Sequence, residues 1–143
     1  MSAAKLYTPQ LLAAAVELAA WPPLEGAALH GSSRSPTCGS TLDIDLELDG
    51  QGKVEQVGLR VRACAVGQAS AAIFARHAAG KSLEELAQLR TRFAAWLQAD
   101  AAMPDWPDIT LIAPAKDYSA RHGAMLLPWD AAMAALSSSA PAG

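Results

Sequence analysis

Cys38 and Cys64 are the residues of this chain whose type could bind a metal ion or carry sulfur. Their spacing matches none of the short-spaced zinc or ferredoxin patterns, so on spacing alone two buried, inert thiols are the plainer interpretation. The local sequence favours chemistry instead. Cys38 lies in a Pro-Thr-Cys-Gly-Ser turn, and Cys64 falls at the expected start of an alanine-rich helix, where unpaired backbone amides stabilise a thiolate.

The segments between the two cysteines predict that they lie close together. Residues 42–48 alternate apolar and acidic side chains, which indicates a half-buried strand whose acidic face is solvated, rather than a set of paired catalytic carboxylates. Residues 49–52 have the composition of a tight turn, and residues 54–61 return as a second strand. The two ends of a hairpin lie at the same edge, so we expect Cys38 and Cys64 to converge.

Before the hairpin, the sequence predicts one helix and one long loop. Thr8 is placed to cap the helix and Pro9 to occupy its first position, and the helix is expected to reach about Leu18. Residues 24–37 are rich in glycine, serine and alanine, which is typical of a loop.

Three helices are predicted after the hairpin. The first follows Cys64 and closes at Gly80 in a left-handed conformation. The second begins at Ser82, which forms a capping-box pattern with Glu85. Residues 109–112 are interpreted as a helical turn, and residues 126–136 as the C-terminal helix.

These elements predict an α+β domain over residues 1–136, with residues 137–143 as a disordered tail. We expect a small antiparallel sheet, made of the hairpin with room for a third strand, and helices packed on one of its faces. The length and the 52% content of hydrophobic residues fit one domain with a substantial core.

Charge and hydropathy exclude two classes of partner. A formal net charge of -3, without clustered lysine and arginine in the sequence, argues against nucleic-acid binding. The apolar stretch at residues 11–20 contains Glu17, and no run approaches the ~20 apolar residues that span a bilayer, so we expect no membrane association. A cytoplasmic location is expected, where both thiols stay reduced and a disulfide does not form.

Three ordered motifs resemble those of the iron-sulfur cluster assembly scaffolds that include the NifU N-terminal domain and the IscU-like proteins. They are Pro-Thr-Cys-Gly at residues 36–39, Ala-Cys-Ala followed by Gln-Ala-Ser within residues 63–70, and Gly-Lys-Ser at residues 80–82. The resemblance covers residues 7–136. It implies the SufE/NifU-like fold, and it makes Cys38 and Cys64 the ligands of an iron-sulfur cargo.

Two departures from the family pattern concern its ligands. Ser40 stands where the family has aspartate after Cys-Gly, and Ala124 stands where it has a third cysteine, although Arg121 and Trp129 match around that position. His122 is the nearest replacement donor, so Ser40 and His122 are further candidate ligands. His30 and His77 are interpreted as surface histidines.

The resemblance implies a carrier protein rather than an enzyme. It would hold iron or a labile [2Fe-2S] cluster, with zinc as another candidate metal. It would take sulfur from a cysteine desulfurase and pass the cluster to apo iron-sulfur proteins. Four cluster ligands would come from the cysteines of two subunits in a homodimer, or from Cys38, Cys64, His122 and an external thiol.

Two other functions fit the same residues. A persulfide sulfur acceptor needs one accessible thiolate rather than four ligands, so the changes at Ser40 and Ala124 would not disable it. An interaction or regulatory module on the same fold would need neither cysteine.

Overall fold

The computed structural model describes residues 6–36, 39–99 and 101–139, with the side chains of residues 137–139 excepted. Four α-helices and three β-strands are found in these residues. They are α1 (Pro9–Val16), β1 (Leu29–Arg34), β2 (Thr41–Leu48), β3 (Val54–Arg62), α2 (Ala65–His77), α3 (Leu83–Gln98) and α4 (His122–Ser139). Short 3-10 segments lie at Glu17–Ala20, Ile109–Leu111, Ala113–Asp117 and Ser119–Arg121. None of the described helices is long and apolar enough to cross a membrane.

The three strands form one antiparallel sheet in the order β1-β2-β3. Leu42, Ile44 and Leu46 of β2 are fully buried on its inner face, where α4 packs on β1 and β2 and α2 packs on β3. The alternating pattern of residues 42–48 therefore predicted correctly which side of β2 is buried, because side chains on a strand point alternately to the two sides of the sheet. The predicted α+β class, with helices packed on a small antiparallel sheet, is confirmed.

Strand β1 corrects the prediction that residues 24–37 form a loop. Leu29 pairs with Leu46 and Arg34 with Thr41, so this stretch supplies the third strand for which the fold prediction left room. Its sequence, Leu-His-Gly-Ser-Ser-Arg, has few β-branched or aromatic residues. The strand depends on its neighbours β2 and α4 rather than on its own propensity.

The acidic side chains of β2 bind the segment that precedes and includes β1. Asp45 accepts a hydrogen bond from the Leu24 amide at 3.0 Å, and Glu47 accepts one from the Ala28 amide at 2.7 Å. Asp43 accepts a hydrogen bond from the Ser32 hydroxyl. These carboxylates lie on the outer face as predicted, but they are half-buried structural acceptors rather than fully solvated groups.

The predicted N-terminal caps of α1 and α3 are present. The Leu11 amide donates to Thr8 Oγ1 at 3.1 Å, with Pro9 in the first turn of α1. Ser82 and Glu85 form the predicted capping box of α3. Gly80 has the predicted left-handed conformation, with a φ of 84°, but it does not cap α2, which ends at His77 with Ala78 as its C-cap. The Gly80 amide donates instead to the Val54 carbonyl at 2.8 Å. The predicted helical turn near residues 109–112 is the 3-10 segment Ile109–Leu111.

Helix α4 is longer than the sequence predicted. It starts at His122 rather than at residue 126, directly after the Ser119–Arg121 turn, and it continues to Ser139 rather than ending at Leu136. Pro128 consequently lies inside the helix, where it cannot donate to the carbonyl of Ala124. Residues 140–143, the rest of the predicted tail, lie outside the described residues.

Helix α4 approaches β1 so closely that only glycine fits at position 31. A Cβ atom added at Gly31 would lie 2.2 Å from the Ala131 carbonyl oxygen and 2.4 Å from the Ala135 amide nitrogen. Both neighbours are backbone atoms of α4, which cannot rotate away as a side chain would. Small residues on both elements therefore set the distance between helix and sheet.

Aromatic rings fill the space between α2, α3 and α4. Trp129 is fully buried, and its ring centroid lies 5.4 Å from that of Phe74, 4.9 Å from that of Phe93 and 5.5 Å from that of Trp106. The Trp106 indole donates to the Ile73 carbonyl at 3.0 Å. These contacts hold α4 against the other two helices.

A cluster of charged side chains links the 3-10 segment that follows α1, helix α2 and the segment before Ile109. Arg76 binds Glu17 and also Asp108, the latter at 3.1 Å, and His77 lies 2.8 Å from the same Asp108 carboxylate. The prediction that His77 is a surface residue is corrected, since it is half-buried and hydrogen-bonded. The hydrogen bond from His77, then that from Arg76, lowers the pKa of Asp108 below its ordinary value.

The Gly31→Ala variant should lose about 2 kcal/mol or more of stability, because backbone overlap with α4 can be relieved only by moving the helix. Urea denaturation measures this loss. Gly50→Ala is the matched control, since nothing lies within 4 Å of a Cβ atom at Gly50. Equal stability of the two variants would contradict the close packing of α4 on β1.

The Asp108→Asn variant should be less stable than the parent protein by about 0.5–1 kcal/mol at neutral pH, since the carboxylate is partly exposed and its ion pairs are screened. Asparagine tolerates the φ of 70° at this position. A lowered pKa means that the stabilisation is present above the ordinary value of 3.8 and is lost as the pH falls through the lowered value.

The stability difference between Asp108→Asn and its parent should therefore shrink in strong acid, as thermal denaturation over a pH series would show. The exposed Asp105 provides the control Asp105→Asn. A difference that stays constant from neutral to strongly acidic pH would contradict the role of the Asp108 charge.

Candidate functional site

Cys64 lies at the N-terminus of α2, as the sequence predicted. It is the N-cap residue, with φ −65° and ψ 171°, and its side chain makes no capping hydrogen bond. The residue is half-buried and its thiol is free. Its carbonyl accepts a hydrogen bond from the Gln68 amide at 2.9 Å, while the Gln68 side chain donates to the Ala63 carbonyl. The backbone around Cys64 is therefore fixed, and the sulfur is not used in holding it.

The loop that contains the other cysteine joins β1 to β2. Two backbone hydrogen bonds of 2.8 Å close it, one from the Ser35 amide to the Ser40 carbonyl and one from the Gly39 amide to the Ser35 carbonyl. Ser35 and Ser40 are both buried. Gly39 has a φ of 71°, a conformation that glycine adopts without strain. Thr37 and Cys38 lie outside the described residues.

The hairpin brings the described end of this loop and the start of α2 to the same edge of the sheet. Thr41 at the start of β2 pairs with Arg62 at the end of β3. Ser40 and Ala63, the neighbours of this pair, therefore leave the sheet side by side. Convergence of Cys38 with Cys64 remains a prediction, because Cys38 is not among the described residues.

The first turn of α4 lies between the two cysteine segments. A Cβ atom added at Gly123 would lie 2.5 Å from Ser35 Oγ, so α4 contacts the first loop there. A Cβ atom added at Gly67 would lie 3.5 Å from Ala124 Cβ, so α4 also contacts the first turn of α2. The Ser70 hydroxyl donates to the Met125 carbonyl at 2.6 Å and fixes this contact.

Ala124 is thus fully buried beside the helix that Cys64 caps. Within the described residues, α4 contacts Ser35, which precedes the Cys38 motif, and the helix that follows Cys64, and it presents a methyl group at position 124. The packing here is close, since a Cβ atom added at Gly67 would also lie 2.7 Å from Ala63 Cβ.

His122 is the first residue of α4 and is half-buried. Its Nε2 lies 2.6 Å from the Lys116 carbonyl oxygen. A carbonyl only accepts hydrogen bonds, so this contact assigns a proton to Nε2, and in the neutral imidazole Nδ1 is then the nitrogen with the lone pair. Histidine ligands of metals commonly donate their other N–H to a backbone carbonyl in this way.

The other histidines do not belong to this region. His30 is in β1, not in a loop, and its Nδ1 lies 2.7 Å from Asp45 on the outer face of the sheet, where its side chain is largely exposed. His77 binds Asp108 at the opposite end of α2. The expectation that neither histidine shares the site of Cys64 agrees with these positions.

The described residues contain no group of three or more histidine, cysteine, aspartate or glutamate side chains that could hold a metal ion. Cys64, Ser40 and His122 are the candidate ligands within the described part of the chain. They do not by themselves make a complete metal centre, and Cys38 would add one further thiolate. The roles of Ser35, Gly67 and Gly123 in joining the three segments were not predicted, because their contacts are between residues distant in sequence.

No protein-family model and no curated protein matches the sequence. Solved structures do match it. The crystal structure of a nitrogen-fixing NifU-like protein (N-terminal) from Brucella abortus is 29% identical, covers 94% of each chain and has a TM-score of 0.85. The crystal structure of an iron-sulfur cluster assembly scaffold protein for the SUF system from Fervidobacterium islandicum AW-1 is 20% identical, covers 94% of this chain and 99% of that chain, and has a TM-score of 0.78.

The likeness to the Brucella abortus protein extends over nearly the whole length of both chains. It includes the sheet and the four helices described above. The resemblance predicted from the cysteine segments, to NifU N-terminal-like and IscU-like scaffold proteins of iron-sulfur cluster assembly, is confirmed by this similarity.

Proposed function

We propose that this protein carries iron or a labile iron-sulfur cluster through the thiolates of Cys38 and Cys64. The observation that carries the proposal is the meeting of three segments at the first turn of α4, which contacts Ser35 of the first loop and Gly67 after Cys64. The likeness to a NifU-like protein and to a SUF-system scaffold supports the same class of function. In this role the protein is a carrier and not an enzyme.

The cluster is cargo, and one chain holds it incompletely. A [2Fe-2S] centre takes four protein ligands, and each chain offers two thiolates. Ser40 supplies a hydroxyl where a carboxylate would be the better anionic ligand, and Ala124 supplies none. Two chains sharing one cluster would provide four thiolates, which makes a homodimer the simplest complete ligand set.

His122 offers a second way to complete the ligands. Its Nε2 is held by the Lys116 carbonyl, so the proposal uses Nδ1 as the ligand atom. His122 precedes the residues of α4 that contact both cysteine segments, Gly123 and Ala124. With Cys38, Cys64 and an external thiol it would make four donors, and the same donors would also suit zinc.

The partners follow from the cargo. We infer that a cysteine desulfurase supplies sulfur, that apo iron-sulfur proteins receive the cluster, and that both exchanges take place in the cytoplasm. Cys64 supports this inference, because it is a half-buried residue at the N-terminus of α2 whose free thiol makes no capping hydrogen bond.

The position of Cys64 also favours a second candidate function, that of a persulfide acceptor. Its thiolate would attack the outer sulfur of a desulfurase persulfide, forming a new S–S bond while the desulfurase thiolate leaves. This step needs one accessible sulfur that is not engaged by the fold, and the Cys64 side chain makes no capping hydrogen bond. An interaction module that uses neither cysteine is the third candidate.

Anaerobic reconstitution with iron and sulfide should give a sulfide-dependent visible absorbance that is lost in Cys38→Ala and in Cys64→Ala, because each removes a proposed ligand. Incubation with iron alone is the control. Size-exclusion chromatography of the reconstituted protein separates the two ligand sets: a dimer indicates four shared thiolates, and a monomer that fails in His122→Ala indicates the histidine.

An absence of sulfide-dependent absorbance would overturn the cluster carrier. Mass spectrometry after incubation with a desulfurase and cysteine would then decide between the remaining candidates. A gain of one sulfur atom that disappears in Cys64→Ala supports the persulfide acceptor, and an unchanged mass leaves the interaction module.

The Ala124→Cys variant should strengthen cluster binding, because its sulfur would add a third thiolate beside the helix that Cys64 caps. Changes around metal ligands alone alter affinity by about 10- to 100-fold, so loss of the cluster to a chelator should slow by at least about tenfold. Ala132→Cys is the matched control, since Ala132 is equally buried in α4 but lies two turns further along. Equal cluster lifetimes in the two variants would contradict the placement of position 124 at the site.

A further inference from the structure

Three arginines lie on the outer face of the sheet at the edge where the cysteine segments begin. Thr41 of β2 pairs with Arg34 of β1 on one side and with Arg62 of β3 on the other. Asp43, the next residue on this face, pairs with Arg60 of β3. All of them alternate with buried residues such as Leu42, so they face away from the helices. We call Arg34, Arg60 and Arg62 the arginine face.

The arginine face surrounds an open cavity of about 590 Å³. All three arginines are exposed, and none of their guanidinium groups makes a hydrogen bond or ion pair with another residue that the structure describes. The chain as a whole carries a net charge of -3, so this is a local concentration of unneutralised positive charge. The cavity is lined by Ser32, Ser33, Arg34, Thr41, Asp43, Arg60 and Arg62.

The position of Asp43 decides what kind of anion fits. Asp43 lines the same cavity as the three arginines. A single compact anion that contacted all three arginines would lie next to the Asp43 carboxylate, and the two negative charges would repel each other. The Arg34 and Arg62 backbones are separated by two strand spacings, about 10 Å. The surface therefore favours several anionic groups spread around its rim over one anion at its centre.

An extended acidic peptide segment matches this spacing. Alternate residues of an extended chain are about 7 Å apart, which is also the separation of Arg60 and Arg62 along β3. Guanidinium groups bind carboxylates through paired hydrogen bonds, and the hydroxyl of Thr41 adds a polar group to the lining of the cavity.

We propose that the arginine face docks an acidic, extended segment of a partner protein. Arg62 is two residues before Cys64, and Thr41 is three residues after Cys38, so the docked partner lies beside the candidate site. The positive charge raises the rate at which such a partner arrives. The proposal depends on charge and position alone, and it holds whether or not the cysteines carry a cluster.

The test uses the full chain without added metal and a fluorescently labelled peptide of alternating glutamate and serine. Binding is followed by fluorescence anisotropy at low ionic strength. The Arg60→Gln/Arg62→Gln double variant should weaken peptide binding about five- to thirtyfold, because it removes two partly exposed charge pairs whose contributions to the binding free energy add. The Arg60→Lys/Arg62→Lys variant retains the charge without the paired donors. Its affinity for the peptide should lie between that of the parent protein and that of Arg60→Gln/Arg62→Gln.

The matched control is Arg92→Gln/Lys53→Gln, which removes two exposed positive charges elsewhere and should change peptide binding by less than about twofold. Circular dichroism checks that every variant is folded. Equal loss in the control and test variants would show attraction to net charge alone and would overturn the proposal, as would no loss in either.

Tripolyphosphate serves as the compact polyanion. It should bind more weakly than the peptide, because Asp43 occupies the centre of the arginine face. Tripolyphosphate binding that is as tight as peptide binding, and that is lost in Arg60→Gln/Arg62→Gln, would make the surface a small-anion site and overturn the proposal. Failure here leaves the cluster experiments untouched, since those experiments change only Cys38, Cys64, His122 and residues of α4.

Discussion

Direct contact between the backbones of α4 and β1 is the constraint on which the rest of the structure depends. Glycine at position 31 lets the helix approach the strand to a distance that any side chain would prevent. Ala131 and Ala135 form the other half of the contact. A strand with little propensity of its own is thereby sandwiched between β2 and α4. The third strand, and with it the loop that leads to Cys38, exists because of this contact.

The same helix positions the candidate site from its other end. Trp129 is held by the rings of Phe74, Phe93 and Trp106, so the position of α4 is fixed by an apolar core that needs no metal. Its first turn then falls between the two cysteine segments. Because the packing of the core, and not the binding of a metal, positions α4, the fold accommodates alanine at position 124. The burial of apolar side chains in the core holds α4 in place, without a contribution from the candidate metal ligands.

The two faces of the sheet have different roles. The inner face is apolar and carries the helices, while the acidic residues of the outer face bind the chain that leads into β1. Asp45 and Glu47 are used in this way, and the three arginines at the cysteine edge are not. The outer face is therefore structural at one end and open to a partner at the other.

Much of the fold was determined by local sequence. The alternation of residues 42–48, the caps at Thr8 and Ser82, the glycine at position 80 and the place of Cys64 at a helix start all follow from interactions within a few residues. Such interactions leave a direct pattern in the sequence. The motif order around Cys38 and Cys64 was enough to predict the family, because the motifs and the hairpin between them occur together.

Tertiary structure alone decided β1, the early start of α4 at His122 and the burial of Ala124 against the first turn of α2. Each depends on contacts between residues far apart in the chain, such as Gly31 with Ala131, Ser35 with Gly123 and Gly67 with Ala124. Glycine, serine and alanine are common in loops, so their types do not reveal which of them will be pressed against a helix. The sequence determined which residues could do the chemistry, and close packing of small residues decided how α4 contacts Ser35 and Gly67 beside the two cysteine motifs.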